Sequence, residues 1–173
     1  PAWTPTRFDE EGLKEVLSKF FGTLRNVYTF FALYANTDDV DPRDFFVEYK
    51  DRPEIDRWIL SKYNHLVKEV NEEMEVKDLN RAVRKIQYFV NEDLSNWYIR
   101  RNRRRFWASD LTEDKKAVYN TTYEVLEGIS RLVAPFAPYI SEELYKRLTG
   151  NLSVHLADYP VCNEELIDKK VEE

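Results

Sequence analysis

LNRAVRKIQYFVNEDLSNWYIRRNRRRFW, residues 79–107, is the stretch that decides the fold. Leu79, Ala82, Val83, Ile86, Phe89, Val90, Leu94 and Trp97 return at steps of three and four, so they line one stripe of an amphipathic helix, and nothing breaks the run before Trp107. Taken as one helix it extends for about 29 residues, roughly 43 Å at 1.5 Å per residue. Trp97 continues the apolar stripe and is expected to be a buried, structural residue. Past it the same stepping lands on Arg101 and then on Arg104 or Arg105, so the face that is apolar lower down is expected to turn cationic.

That change of character is abrupt. Asn96 to Trp107 holds Arg100, Arg101, Arg103, Arg104 and Arg105 among four aromatics, with no acidic side chain. The whole chain carries a formal −6, so this segment's +5 leaves −11 for the rest. A cationic strip on an acidic body implies a local anionic partner rather than general basicity. Guanidinium forks match phosphates, and aromatic or guanidinium planes stack on unpaired bases, which makes RNA the anion these residue types suit best. In the bland alternative the aromatics are core and the arginines pair with acids elsewhere on the surface.

Working outward, Leu13, Val16, Leu17, Phe20, Leu24, Val27, Phe31 and Tyr34 mark a long helix from about Asp9 to Asn36. On it Arg25 and Asn26 interrupt a nearly apolar run, which periodicity alone reads as a solvated face. Residues 37–52, rich in Asp and containing Pro42, read as a solvated loop. Pro53 stands at the start of a second helix carrying Ile55, Ile59, Leu66 and Val70. Thr112 caps a fourth helix through Val118, Thr122, Val125, Ile129 and Leu132; Pro135 and Pro138 interrupt it, and a fifth helix runs from about Pro138 to Leu148 with Gly150 placed to stop it. Leu152 to Tyr159 is expected to be extended or irregular. The fold class is therefore all-α, a helical bundle of about five helices in one unit.

Several chemistries are excluded by residue type. Glycines at only four positions leave no phosphate loop, one cysteine (Cys162) allows no internal disulfide, and two histidines supply neither a zinc set nor a di-iron Glu-x-x-His pair. His65 reads as a surface residue and His155 as a structural or interface one. No catalytic residue and no metal ligand is expected, nor any membrane span. A reducing, cytoplasmic setting fits the cysteine usage.

NWYIRRNRRRFW at 96–107, DRWILSKYN at 56–64, FDEEGLKEVLSKFFGTLRNVYTFFALYAN at 8–36, LVAPFAPYISEELY at 132–145 and SVHLADYP at 153–160 together resemble the anticodon-binding region of the isoleucyl-tRNA synthetases. DRWIL and APFAP-type segments recur among the class I synthetases for valine, leucine and methionine; the arginine run and SVHLADYP point to isoleucine. The resemblance implies an anticodon-binding bundle over 1–162, with 1–8 as a leading linker, and an acidic tail 163–173 that begins a truncated C-terminal region. It implies a parent enzyme that joins isoleucine to tRNA with ATP and magnesium, while this chain, which lacks both catalytic signatures of the family, needs no cofactor and is a non-catalytic, monomeric module. The implied partners are the anticodon stem-loop of tRNA(Ile) and the parent's own catalytic and C-terminal domains. On that resemblance Arg100, Arg101, Arg103, Arg104 and Arg105 are expected at phosphates, Phe106 and Trp107 at stacking or packing positions, and Arg25 and Asn26 near the anticodon arm. The alternative is a protein-interaction bundle whose arginine strip docks on an acidic protein surface.

Overall fold

A computed structural model describes residues 6–150 and 153–172. Six α-helices occupy most of it, and among the described residues there is no strand. α1 is Thr6–Thr37 and α2 is Glu54–Glu75. Residues 79–107 form one rod, α3, wound as an α-helix over Leu79–Tyr88, as a π-helix over Phe89–Ile99 and as an α-helix again over Arg100–Trp107. α4 is Glu113–Leu132, α5 is Pro138–Thr149, and α6 is the single turn Lys169–Glu172. Of the expected leading linker, 1–5 lie outside the described residues and 6–8 belong to α1.

The boundaries follow local chemistry. Asp78 accepts the Arg81 N–H at the start of α3, and Thr112 accepts the Lys115 N–H at the start of α4, each satisfying a donor that the first turn leaves unpaired. α5 begins on Pro138 and ends at Gly150, whose φ of 71° is the left-handed geometry of a C-cap. α2 and α3 form a hairpin through a turn that holds Lys77 at φ 58°, a conformation a side chain resists. α4 and α5 form a second hairpin, and α1 lies across α3.

Between these layers sits one core. Phe20, Leu24, Val27 and Phe31 of α1 meet Ile59, Val67 and Val70 of α2, Val83, Ile86 and Leu94 of α3, and Val118, Val125, Leu126 and Ile129 of α4, all buried. Where α2 crosses α4, Tyr63 lies directly on Gly128: a Cβ there would fall inside the tyrosine ring's hydroxyl and Cζ.

The segment 37–52 differs from the solvated loop expected of it. Asn120 on α4 clamps it, donating to the carbonyls of Pro42 and Phe45 at 2.9 Å each and accepting the Val47 N–H at 2.9 Å. Arg52, its side chain fully buried, holds Val47 O at 2.9 Å and forks onto Glu124 at 2.6 and 2.9 Å. Proline and aspartate set the loop's turns, but its seat is made by side chains some seventy positions further along. The acidic end of the chain also lies on the bundle: Asn163 N–H donates to Asn64 at 2.9 Å, Asp168 N–H to Ser61 at 2.7 Å, and the Ser61 hydroxyl to Glu172 at 2.9 Å, all along α2.

Candidate nucleic-acid interface

The π-winding of Phe89–Ile99 decides which side chains reach the surface. A π-turn closes its hydrogen bond one residue later than an α-turn, so one such insertion rotates everything after it by about 100°. Inward positions therefore become Leu94, Tyr98, Asn102 and Phe106, all buried. This corrects three expectations. Trp97 is 44% exposed rather than core, Phe106 is fully buried and so takes the packing role rather than the stacking one, and the inward face carries Tyr98, Asn102 and Phe106 where Arg101 and Arg104 were expected. Phe106 packs edge-on against Phe30 at 5.2 Å and Tyr119 at 5.3 Å, where α1, α3 and α4 meet.

Trp97 turns instead toward α2. Its ring lies 5.8 Å from Trp58 at 46°, and the Arg101 guanidinium rests on it with Cζ 3.5 Å from the ring centroid. That is cation–π geometry, and it holds the guanidinium flat.

Arg105 is withdrawn from the surface, the fourth correction. Its Nη1 and Nη2 donate to the two oxygens of Asp56, itself fully buried, at 2.6 and 2.8 Å, while Nε donates to Asp114 at 3.0 Å. Tyr98 adds its hydroxyl to Asp56 at 2.5 Å. Burial works against the guanidinium's charge, but the fork onto Asp56 overrides it and raises the pKa above the ordinary arginine value. Burial first, and then the negative Asp56, push the Tyr98 hydroxyl well up, so it stays a donor. The group ties the end of α3 to the first turns of α2 and α4.

Arg100, Arg103, Arg104 and Trp107 remain on the outer side of α3's last two turns, all exposed, Trp107 at 55%. Among the described residues no carboxylate comes within ion-pair distance of these three arginines. The carbonyls at a helix C-terminus offset part of their mutual repulsion. Beneath them Lys115, 2% exposed, donates to the carbonyl of Ala108, the residue that caps α3, and pairs with Asp38 at 2.8 Å.

Arg25 and Asn26 are both exposed but face different edges of α1. Asn26 stands one turn before Phe30, whose ring packs on Phe106 of α3. Arg25 lines a groove against α5 with Ile140, Glu143 and Arg147. His65 pairs with Glu69 at 3.0 Å and His155 with Glu142 at 3.3 Å, both on the surface. Asp56, Asp38, Lys115 and Asn120 had no signal in the sequence, because each acts on residues distant along the chain.

An all-α bundle that turns one short cationic helix face outward from an acidic body is the class of protein these features define. The chain belongs to the family described as the anticodon-binding domain of tRNA ligase, whose model matches residues 56–173. It is 48% identical to an isoleucine–tRNA ligase of Porphyromonas gingivalis over 172 residues, covering 99% of this chain and 15% of that protein. Isoleucine–tRNA ligases of Bacteroides fragilis and Clostridium novyi are 47% and 44% identical, each over 98% of this chain and 15% and 17% of their own length. The chain thus spans about 15% of the curated relatives it matches. Among solved structures, a LeuRS of Agrobacterium radiobacter in a ternary complex with tRNA and LeuAMS aligns over 91% of this chain and 16% of that one, with a TM-score of 0.54 at 23% identity, a likeness of fold. Among the described residues no helix is long and apolar enough to cross a membrane.

Proposed function

We propose that Arg100, Arg103 and Arg104, with Trp107 at their end, form the surface on which the anticodon stem-loop of tRNA(Ile) docks. The parent chain is then an isoleucine–tRNA ligase of the cytoplasm, which uses ATP with magnesium to join isoleucine to the tRNA; no step of that reaction falls to residues of this module, which acts as a monomer to position the RNA. The observation that carries the reading is three exposed arginines with no acidic partner among the described residues, on an otherwise acidic chain. Membership of the family described as the anticodon-binding domain of tRNA ligase supports RNA as the anion. In this reading phosphate contacts supply affinity and register, and Asn26 and Trp107 are the residues offered to loop bases. Arg25, facing α5, meets the arm only if the RNA wraps α1.

The test is binding of the tRNA(Ile) anticodon stem-loop, against a scrambled-loop control, over a range of salt. Three phosphate contacts predict a log–log salt slope of about −2 to −3. Replacing the three arginines together by glutamine should flatten the slope and leave the melting transition in place. Equal binding of both loops would mean electrostatic docking without reading. A wild-type chain that ignores RNA but binds an acidic protein surface through the same arginines would establish the interaction-module alternative.

A further inference from the structure

Between α2, the π-wound part of α3 and the end of α6 lies an open groove of about 700 Å³ that the phosphate-binding strip does not use. Its aromatic lining is Trp58, Trp97 and Tyr88, and Arg101 covers the face of Trp97. Four carboxylates line it against two cations, Lys62 and Arg101. An acidic groove repels phosphate, so an RNA backbone held on Arg100, Arg103 and Arg104 passes beside it and not through it. A cationic side chain from a protein partner meets the Arg101 guanidinium already lying on the tryptophan. A neutral aromatic ring meets neither obstacle: it can stack on the outer face of that guanidinium, and ionised carboxylates at the rim, which accept and do not donate, can take its N–H groups.

We propose that this groove receives one unpaired nucleobase bearing an exocyclic amino group, stacked on Arg101 with Trp97 beneath it and hydrogen-bonded through its amino edge to rim carboxylates such as Glu54 or Asp93. The inference rests on the RNA-docking reading of the neighbouring strip and divides the arginines by role, Arg101 as a stacking plane and the other three as phosphate ligands. The π-winding belongs to the same device. It turns a tryptophan that regular α-helix would bury out to the surface, where the ring supports a guanidinium instead of filling the core.

The experiment uses anticodon stem-loops in which each unpaired loop nucleotide is replaced in turn by an abasic site or by uracil, titrated against the chain and its Arg101→Ala and Arg101→Lys variants, with melting curves as the control for folding. At one loop position the abasic replacement should weaken wild-type binding about tenfold, within the range for one base–aromatic stack. Uracil, which presents two carbonyl acceptors and a single N–H, should recover only part of the loss. Both variants should bind the unmodified loop as weakly as wild type binds the abasic one, with an unchanged salt slope after Arg101→Lys. Full affinity with lysine would make Arg101 a phosphate contact and overturn the proposal. So would abasic tolerance at every position while the loop still binds, leaving the strip's role intact. No binding of any stem-loop by wild type would remove the strip reading together with the groove.

Discussion

Arg104 and Arg105 are chemically identical neighbours, yet only Arg104 reaches solvent. What separates them is about 100° of helix rotation, which brings Arg105 over Asp56. A carboxylate with no exposure and a guanidinium with 14% form a pair whose removal on one side strands a buried charge. Arg105→Gln should therefore lower unfolding free energy by about 3–5 kcal/mol, while Arg104→Gln should stay within roughly 0.5 kcal/mol of wild type. Urea melts of the two variants decide this, and equal midpoints would refute the assignment. The division was not legible in the run of five arginines, because Asp56 lies 49 positions away and nothing local marks it as the partner. The exposure of Trp97 and the burial of Phe106 were hidden for a related reason. With aromatics at both 97 and 98 and again at 106 and 107, the sequence fits two helical phases, and only the winding between them chooses.

Helix ends were the most legible elements, because their signals are local: Thr112 ahead of α4, Pro138 opening α5 and Gly150 closing it act on backbone groups within a few residues. The turn between α2 and α3 shows where local chemistry and geometry disagree. It requires a left-handed residue, and Lys77 supplies φ 58° at a steric cost that glycine would not bear. Lys77→Gly should raise stability by about 0.5–1 kcal/mol, the αL cost less glycine's greater loss of chain entropy. A thermal melt showing no gain or a loss would mean that the lysine side chain makes a compensating contact. The loop 37–52 failed to read as structured because its anchors, Asn120 and Glu124, belong to another helix.

At the scale of the molecule, one group closes the bundle beneath the arginine strip. Asp38, just past the end of α1, accepts the Lys115 ammonium at 2.8 Å and the Tyr119 hydroxyl at 2.5 Å, and Lys115 in turn holds the carbonyl of Ala108, which caps α3. Burial opposes the Asp38 charge, but hydrogen bonds from Lys115 and Tyr119 outweigh it and hold the carboxyl below its usual 3.8. A carboxyl with a depressed folded-state pKa binds fewer protons folded than unfolded near that pH. Its contribution is complete above the unfolded value and is lost as pH falls through the folded one. Wild type should then lose, below about pH 4, the stability advantage that it holds over Asp38→Asn at neutral pH, with the two Tm curves converging as acid is added. Because the same lysine holds the residue that caps α3, the strip's backbone should loosen with it: amides of 104–108 should exchange faster in Asp38→Asn at pH 7 while those of α5 stay unchanged. Parallel Tm curves throughout would show that Asp38 is not the titrating link, and unaltered exchange at 104–108 would show that the arginine strip keeps its shape without Lys115's second partner.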